Sequence, residues 1–294
     1  MRAQKATFRA ANNGLKQPIR CGHMADEGES DFTPMYARFT ENLLAQVRRE
    51  TYGEDDLGQY SWTVKAELET LCRALRLDHG RRLLDVACGA GGPTRFAART
   101  TGCTVVGVDN AKGGIDTASR LAQEDGIQDR ATFQVADAGK RLPFEDASFD
   151  GILSIDAIVL LPGRSDVVRD WARLLRPGGR VAFTDPGVLT GIATLDELSL
   201  RAGQTGGFAY SAPGQNERLL QQAGLNVVHT EDSTSPMERL AAAWHAARSR
   251  HQTDLENIEG KEDFAGGQRF FENTRRLAAE QRQSRFTYVA ERSQ

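Results

Sequence analysis

The sequence of 294 residues is poor in cysteine, and its four cysteines form no C-x-x-C pair. This scarcity argues against a disulfide framework and against a structural zinc site, and we expect no metal centre. An excess of one charge is also lacking, since 37 Lys and Arg stand against 40 Asp and Glu without a block of like charges. The balance argues against a nucleic-acid partner, because proteins that bind the phosphate backbone usually carry a basic patch.

Long apolar runs are missing as well. No run approaches the ~18 residues that a membrane-spanning helix needs, and no secretory signal follows the amino terminus. We therefore expect no membrane partner and a cytoplasmic location. Residues 1–22 contain basic side chains and no acidic ones. We expect residues 1–31 to form a flexible basic arm, with a transit-like leader or a mis-assigned start before Met24 as alternatives.

Hydrophobic periodicity predicts the elements of residues 32–294, which we expect to form one domain. Apolar residues at helical spacing predict two helices within residues 32–78. Short apolar runs then predict strands, which read RRLLDVA, CTVVGVD, ATFQVA, FDGILSI and GGRVAFTD. Helices are predicted between them near 93–100, 113–125 and 164–175. This alternation is typical of βαβ units in a mainly parallel sheet with right-handed crossovers.

The carboxyl-terminal part departs from that alternation. It predicts a helix over 215–223, the strand NVVHTED, two helices across 236–282 and the final strand SRFTYVAER. The last two strands are therefore separated by a helical insertion.

A glycine-rich turn, in the stretch LLDVACGAGGP, follows the first predicted strand. Glycine has no Cβ, so a strand that runs into Gly-x-Gly at a helix start lets a ligand approach the backbone. A nicotinamide dinucleotide calls for G-x-G-x-x-G, but Gly89 and Gly91 are followed by Thr94 at the third position. Asp85 would repel a diphosphate and attract an ammonium group. Asp109, about 20 residues after the glycines, is placed to bind the ribose of either cofactor class.

Four motifs in order resemble those of class I S-adenosylmethionine-dependent methyltransferases. They read LLDVACGAGGP, VVGVD, ADAGKRLPFEDASFDGILSIDAI and LLRPGGRVAFTD. The resemblance covers residues 60–185 strongly and the later strands more loosely. It implies a Rossmann-like α/β fold, doubly wound, with seven strands of which the last is antiparallel. It also implies S-adenosyl-L-methionine as cofactor, and the insertion at about 236–283 is then expected to form a helical lid that excludes water.

The same resemblance implies roles for individual residues in cofactor binding. The methionine end would be bound by Asp85, Ala87, Gly89, Gly91 and Ser154. Asp109 and Asn110 would bind the ribose, and Asp137 with Ala138 would bind the adenine. The alternative for Asp137 is a helix cap or a turn. Cys88 is expected to fill space rather than act as a nucleophile, since nothing nearby in sequence would activate its thiol.

The stretch SIDAIVLLPGR, after the fourth strand, is similar to the phosphoethanolamine and sarcosine/dimethylglycine methyltransferases. Some of these carry an Asp followed four residues later by a His. Here Asp156 keeps the acid, but Leu160 stands at the His position. The acid–base pair is broken, so phosphobase chemistry is not transferred, and Asp156 remains a catalytic candidate. The stretch also lacks the N/D-P-P-Y signature of DNA and some protein amino-methyltransferases.

Aromatic side chains are expected to cover the carboxyl ends of the strands, where ligands bind in open α/β sheets. Tyr36 is a catalytic candidate, and Trp62 is expected at the cofactor, because aromatic faces attract cations such as a sulfonium. Tyr60, Phe208 and Tyr210 are expected to bind the acceptor. Packing of helix against sheet is the alternative for such residues.

His245, on the expected lid, is a candidate general base, with a surface or packing role as the alternative. The methyl of a sulfonium is already activated, so the enzyme mainly needs to hold a small-molecule acceptor in line with it. We expect an amine nitrogen as acceptor, because no base is obvious and the layout resembles the small-amine group. Carbon or oxygen methylation of an aromatic natural product, a nicotinamide-dependent oxidoreductase and a non-catalytic binding protein are the alternatives. A homodimer is an open alternative to a monomer.

Overall fold

The computed structural model describes residues 42–205 and 208–294. Seven strands form one sheet in the order β3-β2-β1-β4-β5-β7-β6. They are β1 (Arg82–Val86), β2 (Thr104–Asp109), β3 (Ala131–Val135), β4 (Phe149–Ser154), β5 (Leu175–Leu189), β6 (Leu225–Asp232) and β7 (Gln283–Arg292). β7 runs antiparallel to both of its neighbours, and the other neighbouring strands are parallel. The predicted Rossmann-like sheet with an antiparallel last strand is confirmed.

Helices connect the strands in the order that the sequence predicts. They are α1 (Asn42–Tyr52), α2 (Lys65–Ala74), α3 (Gly92–Thr101), α4 (Lys112–Glu124), α5 (Arg164–Leu174), α6 (Leu195–Thr205), α7 (Gln215–Gln222), α8 (Thr234–Arg250), α9 (Gln252–Glu259) and α10 (Lys261–Ala279). Three helices, not two, lie between β6 and β7, so that prediction is wrong. His251 caps both α8 and α9, and Gly260, with φ of 90°, separates α9 from α10.

Helices cover both faces of the sheet because alternate residues of each strand point to opposite sides. On one face, Leu84 and Phe183 pack with Trp171 of α5 and Leu220 of α7. On the other face, Leu83 and its neighbours pack with α2, α3 and α4 in a second apolar cluster. The sheet is therefore doubly wound, as predicted.

β5 is longer than its predicted segment, which covers residues 178–185 only. The turn-forming residues Pro177, Gly178, Pro186 and Gly187 suggest that the strand is short. β5 instead continues through both pairs and shifts register between Asp185 and Val188. The bulge accommodates Pro186, which cannot donate a ladder hydrogen bond.

A third apolar cluster lies outside the sheet. It joins Val47 and Tyr52 of α1 to Trp62 and to residues of α8, α9 and α10. The insertion leaves the sheet after β6, at the edge where β1 and β4 also end. Within the part of the chain that the structure describes, no helix has the length and apolarity to cross a bilayer.

Candidate functional site

The glycine-rich turn joins β1 to α3 through three residues with positive φ. Ala87, Gly89 and Gly91 have φ of 58°, 55° and 73°. Ala87 is strained there, because a side chain disfavours the left-handed region. A Cβ on Gly91 would lie 2.7 Å from the ring of Phe133. Gly91 is therefore required by packing against β3, and its predicted contact with the cofactor stays a prediction.

Asp85, near the carboxyl end of β1, is buried and has one short hydrogen bond. The Thr94 hydroxyl donates to its Oδ2 at 2.5 Å. Thr94 thus occupies the third glycine position and holds the carboxyl in place. Burial, with a smaller contribution from the nearby Asp109, raises the pKa of Asp85 to about 7, although the hydrogen bond from Thr94 lowers it. Among the described residues, Oδ1 of Asp85 has no hydrogen-bond donor, so it is available to a cation.

Asp109 ends β2 and fixes the turn from the other side. Its Oδ2 accepts the Gly89 N–H at 2.9 Å, and its Oδ1 accepts the Ala111 N–H at 2.8 Å. Burial raises its pKa although both N–H groups favour the charged form. Each oxygen keeps a further lone pair, so ribose hydroxyls can still donate to it. Asn110 follows on the exposed side of the same strand end.

Two buried carboxyls close to one glycine turn give this site a negative potential. A diphosphate would be repelled there, whereas a group with a positive charge would be attracted. The observation agrees with a cationic amino-acid end and disagrees with a dinucleotide. Cys88 lies buried inside the turn, and burial raises the pKa of its thiol, so it is not an activated nucleophile.

The residues predicted at the adenine and at the methionine side form local contacts. Oδ1 of Asp137 accepts the Gly139 N–H at 2.8 Å, and Oδ2 pairs with Lys140 at 3.0 Å. These are the contacts of a turn, which is the alternative for Asp137, and Ala138 beside it is buried. Ser154 is fully buried and its hydroxyl donates to the Val86 carbonyl at 3.1 Å, so it ties β4 to β1. Their roles in cofactor binding stay predictions.

Asp156 lies two residues beyond β4 with φ of 53°, and its carboxylate is saturated. Oδ1 accepts the Thr184 hydroxyl at 2.7 Å and the Nε–H of Arg285 at 2.8 Å. Oδ2 accepts the Trp62 N–H at 2.6 Å. These contacts support a structural role for Asp156 and do not support the predicted role in catalysis.

Residues 57–63, hereafter the covering segment, cross from the start of α3 to the end of β4. A Cβ on Gly92 would lie 2.5 Å from the Leu57 carbonyl oxygen, so the segment lies directly on α3. Trp62 is buried in the third apolar cluster. Tyr60 is 47% exposed and its ring lies 5.3 Å from that of Trp244, edge to face. Leu57 and Gly58, at the start of the segment, lie beside the glycine turn, whereas Trp62 packs among apolar side chains, which is its alternative role. The predicted contacts of Trp62 with the cofactor and of Tyr60 with the acceptor stay predictions.

The two histidines of the insertion lie in different surroundings. His251 Nε2 lies 2.8 Å from Glu50 Oε1, so His251 joins α8 to α1 at the surface. His245 is partly buried, and its carbonyl accepts the Gln268 amide at 3.1 Å from α10. The structure does not bring His245 to Asp156. Tyr36, the remaining catalytic candidate, lies outside the described residues.

Phe208 and Tyr210 form a pair after the bulged end of β5. Their ring centroids are 4.6 Å apart, and the Tyr210 hydroxyl donates to the Leu198 carbonyl at 3.2 Å. Phe208 packs partly against the sheet core. Tyr210 therefore fixes the loop to α6, and its predicted contact with the acceptor stays a prediction. No group of three or more metal-ligating side chains occurs in residues 42–205 and 208–294.

Arg285 is the main residue that the sequence analysis missed. It is fully buried on β7 and bonds to Asp156, Glu67, Thr63 and Ser233. One sequence feature could have revealed it. Arg285 lies in the strand SRFTYVAER on the same face as Val289, which packs in the core. A charged residue at a core-facing position requires partners, but the sequence alone does not say which.

Comparison with known proteins identifies the region of the glycine turn. A family model described as a methyltransferase domain matches residues 84–183. The methyltransferase GfsG of Streptomyces halstedii is 40% identical over 203 residues, which are 67% of this chain and 70% of that protein. The 27-O-demethylrifamycin SV methyltransferase of Amycolatopsis mediterranei is 30% identical over 199 residues, 67% of this chain and 73% of that protein.

Among solved structures, a cyclopropane synthase from Mycobacterium tuberculosis has a similar fold. Its TM-score is 0.74 at 18% identity, over 91% of this chain and 100% of that chain. At this identity the likeness concerns the fold alone.

Proposed function

Because the chain belongs to the family of S-adenosylmethionine-dependent methyltransferases, we propose that it methylates a hydroxyl group of a small natural product. The 40% identity to a Streptomyces methyltransferase, over 70% of that protein, supports the family, and the likeness to the Amycolatopsis relative carries the choice of acceptor. The Amycolatopsis relative acts on 27-O-demethylrifamycin SV, a substrate that lacks a methyl group on an oxygen. This relative, which the chain matches over 73% of its length, favours oxygen as the acceptor, whereas the sterol 24-C-methyltransferases that the chain also resembles are named for carbon.

The residues around the glycine turn fit S-adenosylmethionine. The unpartnered Oδ1 of Asp85 suits the ammonium of the methionine end, and Asp109 with Asn110 suits the ribose hydroxyls. The negative potential of the turn suits a cofactor with net positive charge better than a dinucleotide. When bound, S-adenosylmethionine supplies a methyl group on a sulfonium that needs no further activation.

The protein's own residues would orient the reactants and exclude water. Asp85 and Asp109 would hold the two ends of the cofactor, and the covering segment would close over it. Phe208 and Tyr210 would present an apolar wall to the acceptor. The helices α8 to α10 would complete the enclosure as the lid, because they begin and end at the carboxyl edge of the sheet.

An alcohol acceptor must lose its proton during transfer, so a base helps. Asp156 is unsuited, since its carboxylate is held by Arg285, Thr184 and the Trp62 N–H. His245 is the remaining candidate among the described residues that the sequence predicts. Its replacement by Gln is expected to lower kcat and leave cofactor affinity unchanged.

An amine nitrogen, the acceptor that the sequence predicts, is the second candidate. The saturation of Asp156 favours it, because a neutral amine attacks without a base. A cytoplasmic location and a homodimer likewise stay predictions.

Calorimetric titration with S-adenosylmethionine and with NAD tests the cofactor. Binding of NAD alone would overturn the proposal. Incubation with paired acceptors, 27-O-demethylrifamycin SV and the same molecule already methylated at that oxygen, tests the reaction. Mass spectrometry should show a gain of one methyl for the first molecule only. Methylation confined to a panel of small amines would replace the first candidate by the second.

A further inference from the structure

The Arg285 side chain is fully buried. Each nitrogen of its guanidinium donates a hydrogen bond. Its Nε donates to Asp156 Oδ1 at 2.8 Å, and its Nη2 donates to the Thr63 hydroxyl at 2.8 Å. Its Nη1 donates to Glu67 Oε1 at 2.7 Å and to the Ser233 hydroxyl at 2.9 Å. We call this set the Arg285 junction. A buried charge with so complete a shell of partners has a defined position.

The Arg285 junction joins elements that are distant in sequence. Asp156 follows β4, and Thr63 and Glu67 lie at the end of the covering segment and the start of α2. Ser233 lies where the inserted helices leave the sheet, and Arg285 lies where they rejoin it. The start and the end of the helical insertion and the end of the covering segment therefore meet at the guanidinium of Arg285.

The covering segment is fixed at both ends but by different means. At its start, the Leu57 carbonyl lies against Gly92 of α3, and the Gln59 side chain bridges Leu57 and Thr63. At its end, the Trp62 N–H donates to Asp156. Asp156 in turn is held by Arg285. The end of the segment at β4 thus depends on the Arg285 junction.

We propose that Arg285 is a positioning residue for cofactor binding, and that it acts on the covering segment directly at Thr63 and through Asp156 at Trp62. The inference rests on the proposed function only in taking S-adenosylmethionine as the ligand beside this segment. Arg285 itself does not contact the glycine turn. It holds Asp156 with φ of 53°, so that Oδ2 faces the Trp62 N–H and keeps the segment over the ends of β1 and β4.

The planar shape of the guanidinium is essential to this role. Two carboxylates, Asp156 and Glu67, and two hydroxyls surround it, and a second oxygen of Glu67 is buried without a partner. A lysine would keep the charge but would not reach all four groups in fixed directions. Arg285→Lys should therefore loosen the segment without removing the positive charge.

Calorimetric titration of the whole protein with S-adenosylmethionine tests the inference. We expect Arg285→Lys to bind about tenfold more weakly than the wild type. Hydrogen exchange should be faster at the amides of residues 57–63. The matched control is Arg164→Lys, because Arg164 is also buried and bonds to the buried Asp185 at 2.6 Å, away from the covering segment. This control should lower the Tm as well, with cofactor affinity within about twofold of the wild type.

A milder variant keeps the test valid if Arg285→Lys does not fold. Thr63→Val has nearly the same shape and removes only the acceptor of Nη2, and it should weaken binding about threefold. Cofactor affinity and exchange equal to the wild type in a folded Arg285→Lys protein with a lower Tm would overturn the inference, since Arg285 would then serve stability alone. Failure of the wild type to bind S-adenosylmethionine would instead overturn the proposed function.

Discussion

Asp85 and Asp156 are buried carboxyls at the carboxyl ends of neighbouring strands, and their surroundings are opposite. Asp85 has one hydrogen bond, from Thr94, and its pKa is raised to about 7. Asp156 accepts from a guanidinium, a hydroxyl and a main-chain N–H. The unsatisfied carboxyl is the one that can serve a ligand, and the saturated one supports the fold.

The largest expected effect concerns the saturated carboxyl. Asp156→Leu leaves the buried Arg285 with Glu67 as the one acidic partner among the described residues and should destabilise the protein by about 4 kcal/mol. Denaturant unfolding monitored by circular dichroism measures this. Asp146→Leu is the control, because it removes an ion pair with Arg173 in which the Asp146 side chain is 68% exposed. This variant should change stability very little. An equal loss of unfolding free energy in Asp156→Leu and Asp146→Leu would show that Asp156 has no special role in stability.

The second effect concerns the unsatisfied carboxyl. Asp85→Asn removes the proposed partner of the cofactor ammonium and should weaken S-adenosylmethionine binding about 100-fold. The same change removes the unfavourable burial of a charge, so the Tm at pH 8 should rise by about 5 °C. Scanning calorimetry and titration calorimetry give both values. A variant that loses stability at pH 8 would show that the Asp85 carboxylate is not strained by burial.

A third effect, smaller, is the pH dependence of cofactor binding. Because the pKa of Asp85 is raised to about 7, the carboxylate that we propose for the ammonium forms as the pH rises through that value. Affinity for S-adenosylmethionine should rise about tenfold between pH 6 and pH 8. For stability the sign is opposite: a carboxyl whose pKa is raised on folding lowers stability as the pH rises from its ordinary value to 7. Asp85→Asn should show a flat affinity profile, and a parallel rise in both proteins would assign the titration elsewhere.

The smallest effect is expected at the surface. His251→Gln removes the contact with Glu50 and should leave kcat and cofactor affinity within about twofold of the wild type, because exposed pairs contribute little. Steady-state kinetics measure this. A loss of turnover as large as that of His245→Gln would place His251 in the reaction instead.

The fold could be predicted from the sequence where local signals agree. The strands from β1 to β4 follow from short apolar runs between amphipathic helices, because both patterns are set within a few residues. The full length of β5 could not be predicted. Pro186 and Gly187 indicate a turn, but in the folded protein β5 continues through them because it pairs with β7. The break at His251 was also missed, because no proline or glycine marks it.

In the candidate site, too, some residues could be predicted from the sequence and others could not. Asp85 and Asp109 lie where the motif places them, close together at one edge of the sheet. The role of Asp156 could not be predicted, because its partner Arg285 lies 129 positions away in the sequence. Glu67, the other acid at this guanidinium, lies 218 positions from it. Only the folded sheet brings these residues together.

Because β6 pairs with β7, the helical insertion between them can be exchanged as a unit for the corresponding segment of another protein. Asp232, just before the helices begin, is paired with Phe286, just after they end, so the two junctions are adjacent on the sheet. A graft of the same segment from another protein of this fold could replace the acceptor specificity while β1 to β4 stay intact. Such a transplant would have to keep Ser233 and Arg285, because Asp156, Glu67 and Thr63, which surround the Arg285 guanidinium, all lie outside the grafted segment.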